Sequence, residues 1–281
     1  AGGEWRVSQA RVHWDILDKF QEAAVQAGIP RTADFNRGCN FGIGPFEVNQ
    51  RDGFRVSSAS AFLRPAMSRP NLDVVTKSHV SSLAVDGKRV TGVNFMEGSS
   101  NETQYAEAEG EVLLSAGSIG SVQILQLSGI GPRKVLEDAG VALKYEMPGV
   151  GANLQDHLQI RPCWKVEGIP TLNEKVHNPL AKVWMGLEYA IWQTGPLAAA
   201  PSQLGAFARS SPEYKTPNLE YHVQPLSLDK FGSDLHRHSG FTASVCNLRP
   251  KSRGSVTIKN NDPRTFPSIR LNMLSHEEDK Q

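Results

Sequence analysis

The segment EVLLSAGSIGSVQILQLSGIG (residues 111–131) indicates the fold class of its part of the chain. Its first residues, 111–117, form an apolar run that predicts a strand buried on both faces of a sheet. Gly117 ends this strand, and SVQILQL at about residues 121–127 predicts a helix. A strand, a turn of small residues and a helix in this order are typical of an α/β dinucleotide-binding arrangement.

The turn Ser115-Ala116-Gly117 has no bulky side chain, so its backbone can approach a bound group closely. The helix that follows offers unpaired N–H groups and a positive potential to a phosphate. A tight strand–helix turn without any ligand explains the same residues equally well. The segment alone therefore leaves a cofactor site and a purely structural turn open.

Flanking segments predict further strands and helices. Upstream, LDVVT, SHVSSLAV and RVTGVNFM are short β-branched runs, and Asp86-Gly87 between the last two predicts a hairpin. Residues 10–27 have apolar side chains at helical spacing, and Asp52-Gly53 predicts a turn. Downstream, three strand-like runs predict a second, largely antiparallel part: NLEYHVQPL, GFTASVCNL and GSVTIKN.

Two further helices are predicted after residue 157. Asn178 and Pro179 form a helix start, and the apolar stripe that follows predicts a helix packed against the core: Leu180, Val183, Trp184, Leu187, Ala190 and Ile191. Trp192 on the same helix is expected to pack as well. Ser275-His276-Glu277-Glu278 is a capping-box pattern that predicts a helix near the end of the sequence.

Composition excludes several classes of protein. The 281 residues carry 30 Lys plus Arg and 29 Asp plus Glu, so a formal net charge of +1 gives no electrostatic reason to expect nucleic acid or an acidic membrane. The first residues, AGGEWRVSQ, have no apolar signal core. Cys39, Cys163 and Cys246 lie far apart, which excludes a disulfide scaffold and a zinc ribbon. We therefore expect reduced thiols and a cytoplasmic location.

Histidines are the remaining candidates for chemistry. His236-Arg237-His238 offers two metal ligands without a third at metal-site spacing, so a solvated loop and no metal are expected. Asp156 and His157 are compatible with an acid–base pair. His222 alternates within a strand beside Tyr221, and we interpret it as a packed sheet residue.

Residues 117–131 resemble the second signature of the glucose–methanol–choline (GMC) oxidoreductases, flavoproteins that oxidise alcohols. Val122 departs from this signature, because the family usually has Pro there. Four further stretches resemble motifs in the family's order: GFRVSSASAFLRP, RPNLDVVTKSHVSSLAVDGKRVTGV, PGVGANLQDH and RPKSRGSVTIKNNDP. The resemblance covers nearly the whole chain, which looks most like the bacterial choline dehydrogenase-like alcohol dehydrogenases.

The resemblance implies FAD as the cofactor. The backbone of Val80 matches a position that contacts the adenine end of FAD, while its side chain has an ordinary packing role. Ser115, Ala116 and Gly117 match the part that approaches the adenosine and phosphate portion. Asp156 and His157 match a stretch that packs near the cofactor, which implies structural hydrogen bonding rather than catalysis.

The resemblance also implies a fold class and a division of the chain. We expect an α/β plus α+β protein, with part of an FAD-binding doubly wound domain and an antiparallel-sheet substrate domain. Residues 1–70 would be a substrate-domain and connecting segment, and 71–157 the later half of the FAD-binding domain. Residues 158–281 would be the substrate-binding domain, truncated at its C-terminus.

Gln203 is the candidate residue of the substrate cavity. It matches a position where relatives that oxidise choline have Glu, whose charge attracts the quaternary ammonium. Because Gln203 is neutral, the sequence predicts that choline is not the substrate, although cation–π contacts can partly replace that charge. A plain alternative is that Gln203 hydrogen-bonds within the cavity wall.

Two features of the family are absent from the 281 residues: the G-x-G-x-x-G loop and the C-terminal His that takes the hydroxyl proton. We therefore predict an internal fragment of an FAD-dependent oxidoreductase acting on CH–OH groups of a small-molecule alcohol. The fragment is expected to hold no catalytic residue and to be inactive alone. Alternatives are a non-catalytic remnant of the fold, or a lyase or photodecarboxylase of the family. Oxygen, a quinone or another carrier all remain open as the electron acceptor.

Overall fold

Short strands dominate the computed structural model, which describes residues 3–280. The strands in chain order are β1 (Ser8–Gln9), β2 (Gly42–Pro45), β3 (Glu47–Val48), β4 (Gln50–Arg51), β5 (Phe54–Arg55), β6 (Ser78–Asp86), β7 (Arg89–Glu97), β8 (Gln104–Glu107), β9 (Ile130–Gly131), β10 (Tyr145–Glu146), β11 (Gln159–Ile160), β12 (Cys163–Lys165), β13 (Leu204–Ala208), β14 (Leu219–Gln224), β15 (Gly240–Asn247), β16 (Ser255–Thr257) and β17 (Ser268–Arg270). The α-helices are α1 (Asp15–Gln26), α2 (Arg64–Ala66), α3 (Gly117–Leu127), α4 (Arg133–Asp138), α5 (Leu172–His177) and α6 (Pro179–Trp192). A π-helical turn, Ala59–Leu63, precedes α2, and 3₁₀ turns occupy Pro196–Ala198 and Glu277–Asp279.

These elements form two units that alternate along the chain. The first unit runs to Leu72 and resumes over His157–Arg249, and the second covers Asp73–Asp156 and continues from Pro250. The sequence boundaries after residues 70 and 157 lie close to two of these changes, whereas 250–280 group with the second unit instead of with 158–249. That the units are FAD-binding and substrate-binding domains stays a prediction.

A six-stranded antiparallel sheet is the centre of the first unit, in the order β11-β15-β14-β13-β2 with β12 also paired to β15. The predicted strands in NLEYHVQPL and GFTASVCNL are confirmed as β14 and β15. Side chains alternate between the two faces of the sheet. The apolar face packs against α1 through a core of buried residues: Trp14, Ile16, Leu17, Ala24, Ile43, Leu204, Ala206, Val223 and Ala243.

In the second unit, β6, β7 and β8 form an antiparallel meander. The predicted hairpin at Asp86-Gly87 is confirmed, because Asp86 pairs with Arg89 and Gly87 has a φ of 51°. Helix α3 is tied to β16 by Gln126, which is fully buried. Its Nε2 donates to the Val256 carbonyl at 3.2 Å, and its Oε1 accepts from the Ile258 N–H at 2.9 Å. The buried amide is therefore satisfied.

The predicted strand over residues 111–117 is wrong. Residues 111–115 are outside any strand, α3 begins at Gly117, and Leu113 is 86% exposed. The run LDVVT is not a strand either, and Val75 in it is exposed. A strand requires a hydrogen-bonded neighbour, and no described residue pairs with either run. The doubly wound sheet stays a prediction, since β9 and β10 are the one pair of parallel strands among residues 3–280.

Helix α6 begins where the sequence predicts. The Asn178 side chain accepts hydrogen bonds from the N–H groups of Leu180 at 3.0 Å and Ala181 at 3.3 Å. The predicted packing of its apolar stripe, Trp192 included, is wrong, because Met185 is the buried residue of α6 and the stripe faces solvent. Within the described residues, no helix has the length and apolar character needed to cross a membrane.

The helix predicted from the capping box near the end of the sequence is also wrong. Residues Glu277–Asp279 form a single 3₁₀ turn. His276, rather than Ser275, provides the cap, because its Nδ1 accepts from the Glu278 N–H at 3.3 Å. Ser275 instead donates its own N–H to the Ser252 hydroxyl at 3.0 Å. A backbone bond to Ser252 thus displaces the capping box that the local pattern favours.

Candidate functional site

The face of the six-stranded sheet opposite α1 carries polar side chains. On β14, Glu220, His222 and Gln224 occupy alternate positions, while the intervening Tyr221 and Val223 belong to the apolar core. A cavity of about 510 Å³ lies over this polar face. Its lining combines the three polar side chains with the rings of Phe46 and Phe231. Such a mixture of polar and aromatic groups suits a small organic molecule.

Phe46 holds its place over the sheet because Gly205 on β13 has no side chain. A Cβ added at Gly205 would overlap the Phe46 ring. The backbone N–H of Phe46 donates to the Gln203 carbonyl at 2.9 Å, which anchors this part of the cavity wall to the start of β13. The ring of Phe46 lies 5.6 Å from that of His222. The wall is thus built from β13, β14 and the residue after β2.

His222 is the cationic group of this wall. Its Nε2 lies 3.4 Å from Glu220 Oε1. A hydrogen bond with Cys246 and then the Glu220 carboxylate raise the pKa of His222 from 6.5 to about 9. The imidazole is therefore protonated at neutral pH. The positive charge of a protonated imidazole in a cavity wall can stabilise an oxygen that gains negative charge.

Glu220 also meets two further side chains at one end of the polar face. Donor atoms of His157, Glu220 and Cys246 lie within 4.8 Å of one another, because β11, β15 and β14 are neighbours in the sheet. Such groups are metal-ligand types. Cys246 Sγ lies 3.6 Å from the Glu220 carbonyl oxygen, and Glu220 pairs with His222. We assign Glu220 and Cys246 to a network that orients His222. The expected absence of a metal stays a prediction.

The other histidines, for which structural roles are predicted, have the following surroundings. His157 is exposed, and a ring nitrogen of it lies within 4.8 Å of ligand atoms of Glu220 and Cys246. His236 contacts Ser227 Oγ and Asp229 Oδ1, each at 3.0 Å, and stacks on His238. Neither histidine lines the cavity.

Gln203, the predicted substrate-cavity residue, directly precedes β13 and is only 9% exposed. Its side-chain Oε1 is buried and has no hydrogen-bond partner among the described residues. Ser202 beside it lines the cavity, whereas Gln203 itself is not part of the lining. An unpartnered buried acceptor is costly, so a donor from a ligand or a water would stabilise it. Its role in substrate selection stays a prediction.

The predicted cofactor residues all lie in the second unit. Val80 is half-buried on β6, an edge strand of its sheet, and the ladder is irregular between Val80 and Ser82. Ser115, Ala116 and Gly117 are exposed at the start of α3, where Gly117 has a φ of 79°. A cavity in the same unit, lined by residues such as Leu83 and Ser128, includes none of the four.

These residues fit the part of FAD that the resemblance assigns to them. An edge strand keeps one row of backbone N–H and C=O groups for a ligand, which suits a backbone contact from Val80. The first turn of α3 has no acidic residue and no side-chain cap, so its N–H groups can face a phosphate. At Gly117 the positive φ requires glycine, and a Cβ built there meets no atom within 4 Å.

The chemical importance of His222 was missed from the sequence, which led us to interpret it as a packed residue. A signal was present, because polar residues alternate through LEYHVQ at Glu220, His222 and Gln224. That alternation predicts one polar face of a strand. The partner that shifts the pKa of His222 most, Cys246, lies on the next strand and is distant in sequence.

Comparisons with known proteins agree on one family. A family model described as GMC oxidoreductase matches residues 3–159. An oxygen-dependent choline dehydrogenase of Ectopseudomonas mendocina is 39% identical over 270 residues, which are 95% of this chain and 47% of that protein. One from Escherichia coli O139:H28 is 40% identical over 95% of this chain and 48% of its own length. The chain spans about half the length of these curated relatives.

Solved structures give the same fold. A pyridoxine 4-oxidase from Mesorbium loti has a TM-score of 0.82 at 26% identity, over 99% of this chain and 51% of that one. An FAD-dependent oxidoreductase from Chaetomium thermophilum has a TM-score of 0.85 at 22% identity, over 99% of this chain and 54% of that one. With the family model matching more than half of its residues, the chain belongs to the GMC oxidoreductase family, whose cofactor is FAD.

Proposed function

We propose that the protein containing this chain oxidises the CH–OH group of a small-molecule alcohol. The observation that carries the proposal is His222, whose pKa Cys246 and Glu220 raise, in the wall of a cavity of about 510 Å³, in a chain of the GMC oxidoreductase family. FAD, when bound, accepts the hydride from the alcohol carbon. Val80, Ser115, Ala116 and Gly117 would hold its adenosine and phosphate portion.

His222 would hold the oxygen of the alcohol. As the hydroxyl proton leaves, the oxygen becomes negative, and the positive charge of the His222 imidazolium stabilises it electrostatically. Because His222 is already protonated below about pH 9, it cannot take that proton itself. No other histidine among the described residues lines the cavity. The family resemblance places the base, a C-terminal His, outside these 281 residues, and the chain alone would then be inactive.

The alcohol is proposed to be one without a quaternary ammonium group, although the two relatives named above are choline dehydrogenases. Gln203 supplies no negative charge. The carboxylate of Glu220 lines the cavity, but its charge is compensated by His222 at 3.4 Å. A neutral hydroxyl compound needs no such charge from the cavity lining.

Flavin reduction tests the proposed function. The intact protein with bound FAD is mixed with a panel of primary and secondary alcohols without oxygen, and the loss of flavin absorbance is followed. We expect reduction by at least one alcohol, slowed about 100-fold in His222→Gln. His238→Gln, an exposed histidine outside the cavity lining, should reduce at the parental rate.

Two results would overturn the proposal. One is bound flavin that no alcohol reduces, which would favour the non-catalytic remnant or a lyase. The other is a His222→Gln protein reduced as fast as its parent. The 281 residues alone, supplied with FAD, should show no alcohol-dependent reduction in the same assay.

A further inference from the structure

Arg161 is a charged residue that lies beside the cavity without lining it. It follows β11, in which Ile160 pairs with Val245 of β15, so Arg161 lies next to Ser244. Ser244 in turn pairs with His222 of β14. Because side chains alternate between the two faces and neighbouring strands are about 4.8 Å apart, Arg161 projects from the polar face, about 10 Å from His222 across the sheet.

The contacts of the Arg161 guanidinium reach two residues of the cavity lining. Its Nη2 donates to Gln224 Oε1 at 3.5 Å, and its Cζ lies 3.8 Å from the centroid of the Phe231 ring. Gln224 and Phe231 both line the cavity. Arg161 Nη1 is buried and has no hydrogen-bond partner among the described residues. The guanidinium is thus held at the Phe231 end of the cavity, with part of its hydrogen-bonding capacity unused.

The charge of Arg161 is not compensated by residues 3–280, none of which offers it a carboxylate at ion-pair distance. Two carboxylates line the cavity. Glu220 pairs with His222, and Glu47 is exposed beside Phe46, on the far side of β14 from Arg161. Water screens an exposed carboxylate strongly. The Phe231 end of the cavity therefore has a positive potential within the part of the chain that the structure describes.

We propose that Arg161 determines substrate specificity and that the substrate is a hydroxy acid, with its hydroxyl beside His222 and its carboxylate toward Arg161. This inference rests on the proposed oxidation of an alcohol in the same cavity. The attraction needs no direct contact, because two unit charges about 10 Å apart, at the effective dielectric constant of about 20 near a protein surface, change an affinity about tenfold. The same charge repels a quaternary ammonium, in agreement with a substrate other than choline.

Binding of a carboxylate without turnover tests the proposal. The affinities of butanoate and butanamide for the intact protein with oxidised FAD are compared by isothermal titration calorimetry, because these probes differ chiefly in charge. We expect butanoate to bind about tenfold more tightly. Arg161→Met should abolish this difference, whereas Arg161→Lys, which keeps the charge, should retain most of it. Arg237→Met removes the charge of an exposed arginine outside the cavity lining and should behave as the parent does.

Flavin reduction gives a second readout. 4-Hydroxybutanoate should reduce the bound flavin with a kcat/KM about tenfold above that of 4-hydroxybutanamide, and Arg161→Met should remove this preference. Butanoate that binds no more tightly than butanamide, or an unchanged preference in a folded Arg161→Met protein, would overturn the proposal. If butanoate is preferred in binding and no alcohol reduces the flavin, the charge preference at Arg161 is supported and the proposed oxidation is what fails.

Discussion

At His222, an imidazole on β14 is held between the thiol of Cys246 and the carboxylate of Glu220. Both partners favour the protonated form, and they outweigh the cost of partial burial. The same neighbours fix the ring beside Phe46 in the cavity wall. One residue thus links the packing of the sheet to the charge that the cavity offers an alcohol.

The protonation of His222 predicts a pH-dependent stability. Its pKa is about 9 in the folded chain, against 6.5 for an unperturbed histidine, so protonated His222 stabilises the fold. This contribution is complete below about pH 6.5 and is lost as the pH rises through about 9, by about 3 kcal/mol. Urea unfolding of parent and His222→Gln between about pH 6 and pH 10 measures it.

The matched control is His238→Gln, which changes an exposed histidine outside the cavity lining. This variant should keep the parental slope of unfolding free energy against pH. His222→Gln should be less stable than the parent at low pH and converge with it at high pH. A difference between parent and His222→Gln that is constant over this range would show that His222 does not change protonation there.

Gln203 predicts how the cavity distinguishes charged from neutral alcohols. Gln203→Glu should raise the kcat/KM ratio of choline over its uncharged analogue 3,3-dimethylbutan-1-ol by about tenfold, because a carboxylate near the substrate attracts the ammonium group. Gln203→Leu has no charge and should leave the ratio unchanged. An unchanged ratio in Gln203→Glu would place Gln203 outside substrate selection and assign it to the cavity wall alone.

At the scale of elements, the start of α6 is stabilised by a local interaction that the sequence predicts, the cap formed by Asn178. Asn178→Ala removes the acceptor for the first N–H groups of α6 and should lower the free energy of unfolding by about 1 kcal/mol. Asn178→Asp keeps an acceptor and places a negative charge at the positive end of the helix, so it should remain at least as stable as the parent. Denaturant unfolding of both variants decides this, and equal stability of Asn178→Ala and parent would contradict the cap.

The packing of Phe46 on β13 gives a second prediction for an element. Gly205→Ala forces the Phe46 ring away from the sheet, and we expect a loss of about 1–3 kcal/mol together with a changed cavity. Gly186→Ala is the control, because a Cβ on that helical glycine meets no atom within 4 Å. It should stabilise α6 by about 0.5–1 kcal/mol. Thermal unfolding of both variants tests whether Gly205→Ala lowers the stability and Gly186→Ala raises it.

Elements specified by neighbouring residues could be predicted, and those that need distant partners could not. The hairpin at Asp86-Gly87 and the cap at Asn178 depend on a few consecutive residues. The apolar character of residues 111–117 predicts a buried strand. A strand forms only where a second strand pairs with it, and these residues have no such partner among the described residues. The outward direction of the α6 stripe is likewise invisible to periodicity, which identifies an apolar face but not what covers it.

At the scale of the whole molecule, the ordered motifs identified the family, whereas the candidate site required the fold. The family model and the motifs coincide over much of residues 3–159. The His222 network joins residues 220, 222 and 246, with residue 157 close by, and these residues meet because β11, β15 and β14 are neighbours. Motifs of closely spaced residues do not reveal this group, because the pairing register of distant strands brings its members together.

The protonation state of His222 is the most direct test of this account. Proteins labelled with ¹⁵N at histidine, with His222→Gln used to assign the signal, are titrated by NMR between about pH 5 and pH 10.5. The account predicts a His222 that stays protonated at neutral pH and titrates with a pKa of about 9. A His222 that titrates at 6.5 or below would be neutral in the working enzyme, and its proposed role in holding the alkoxide would be wrong.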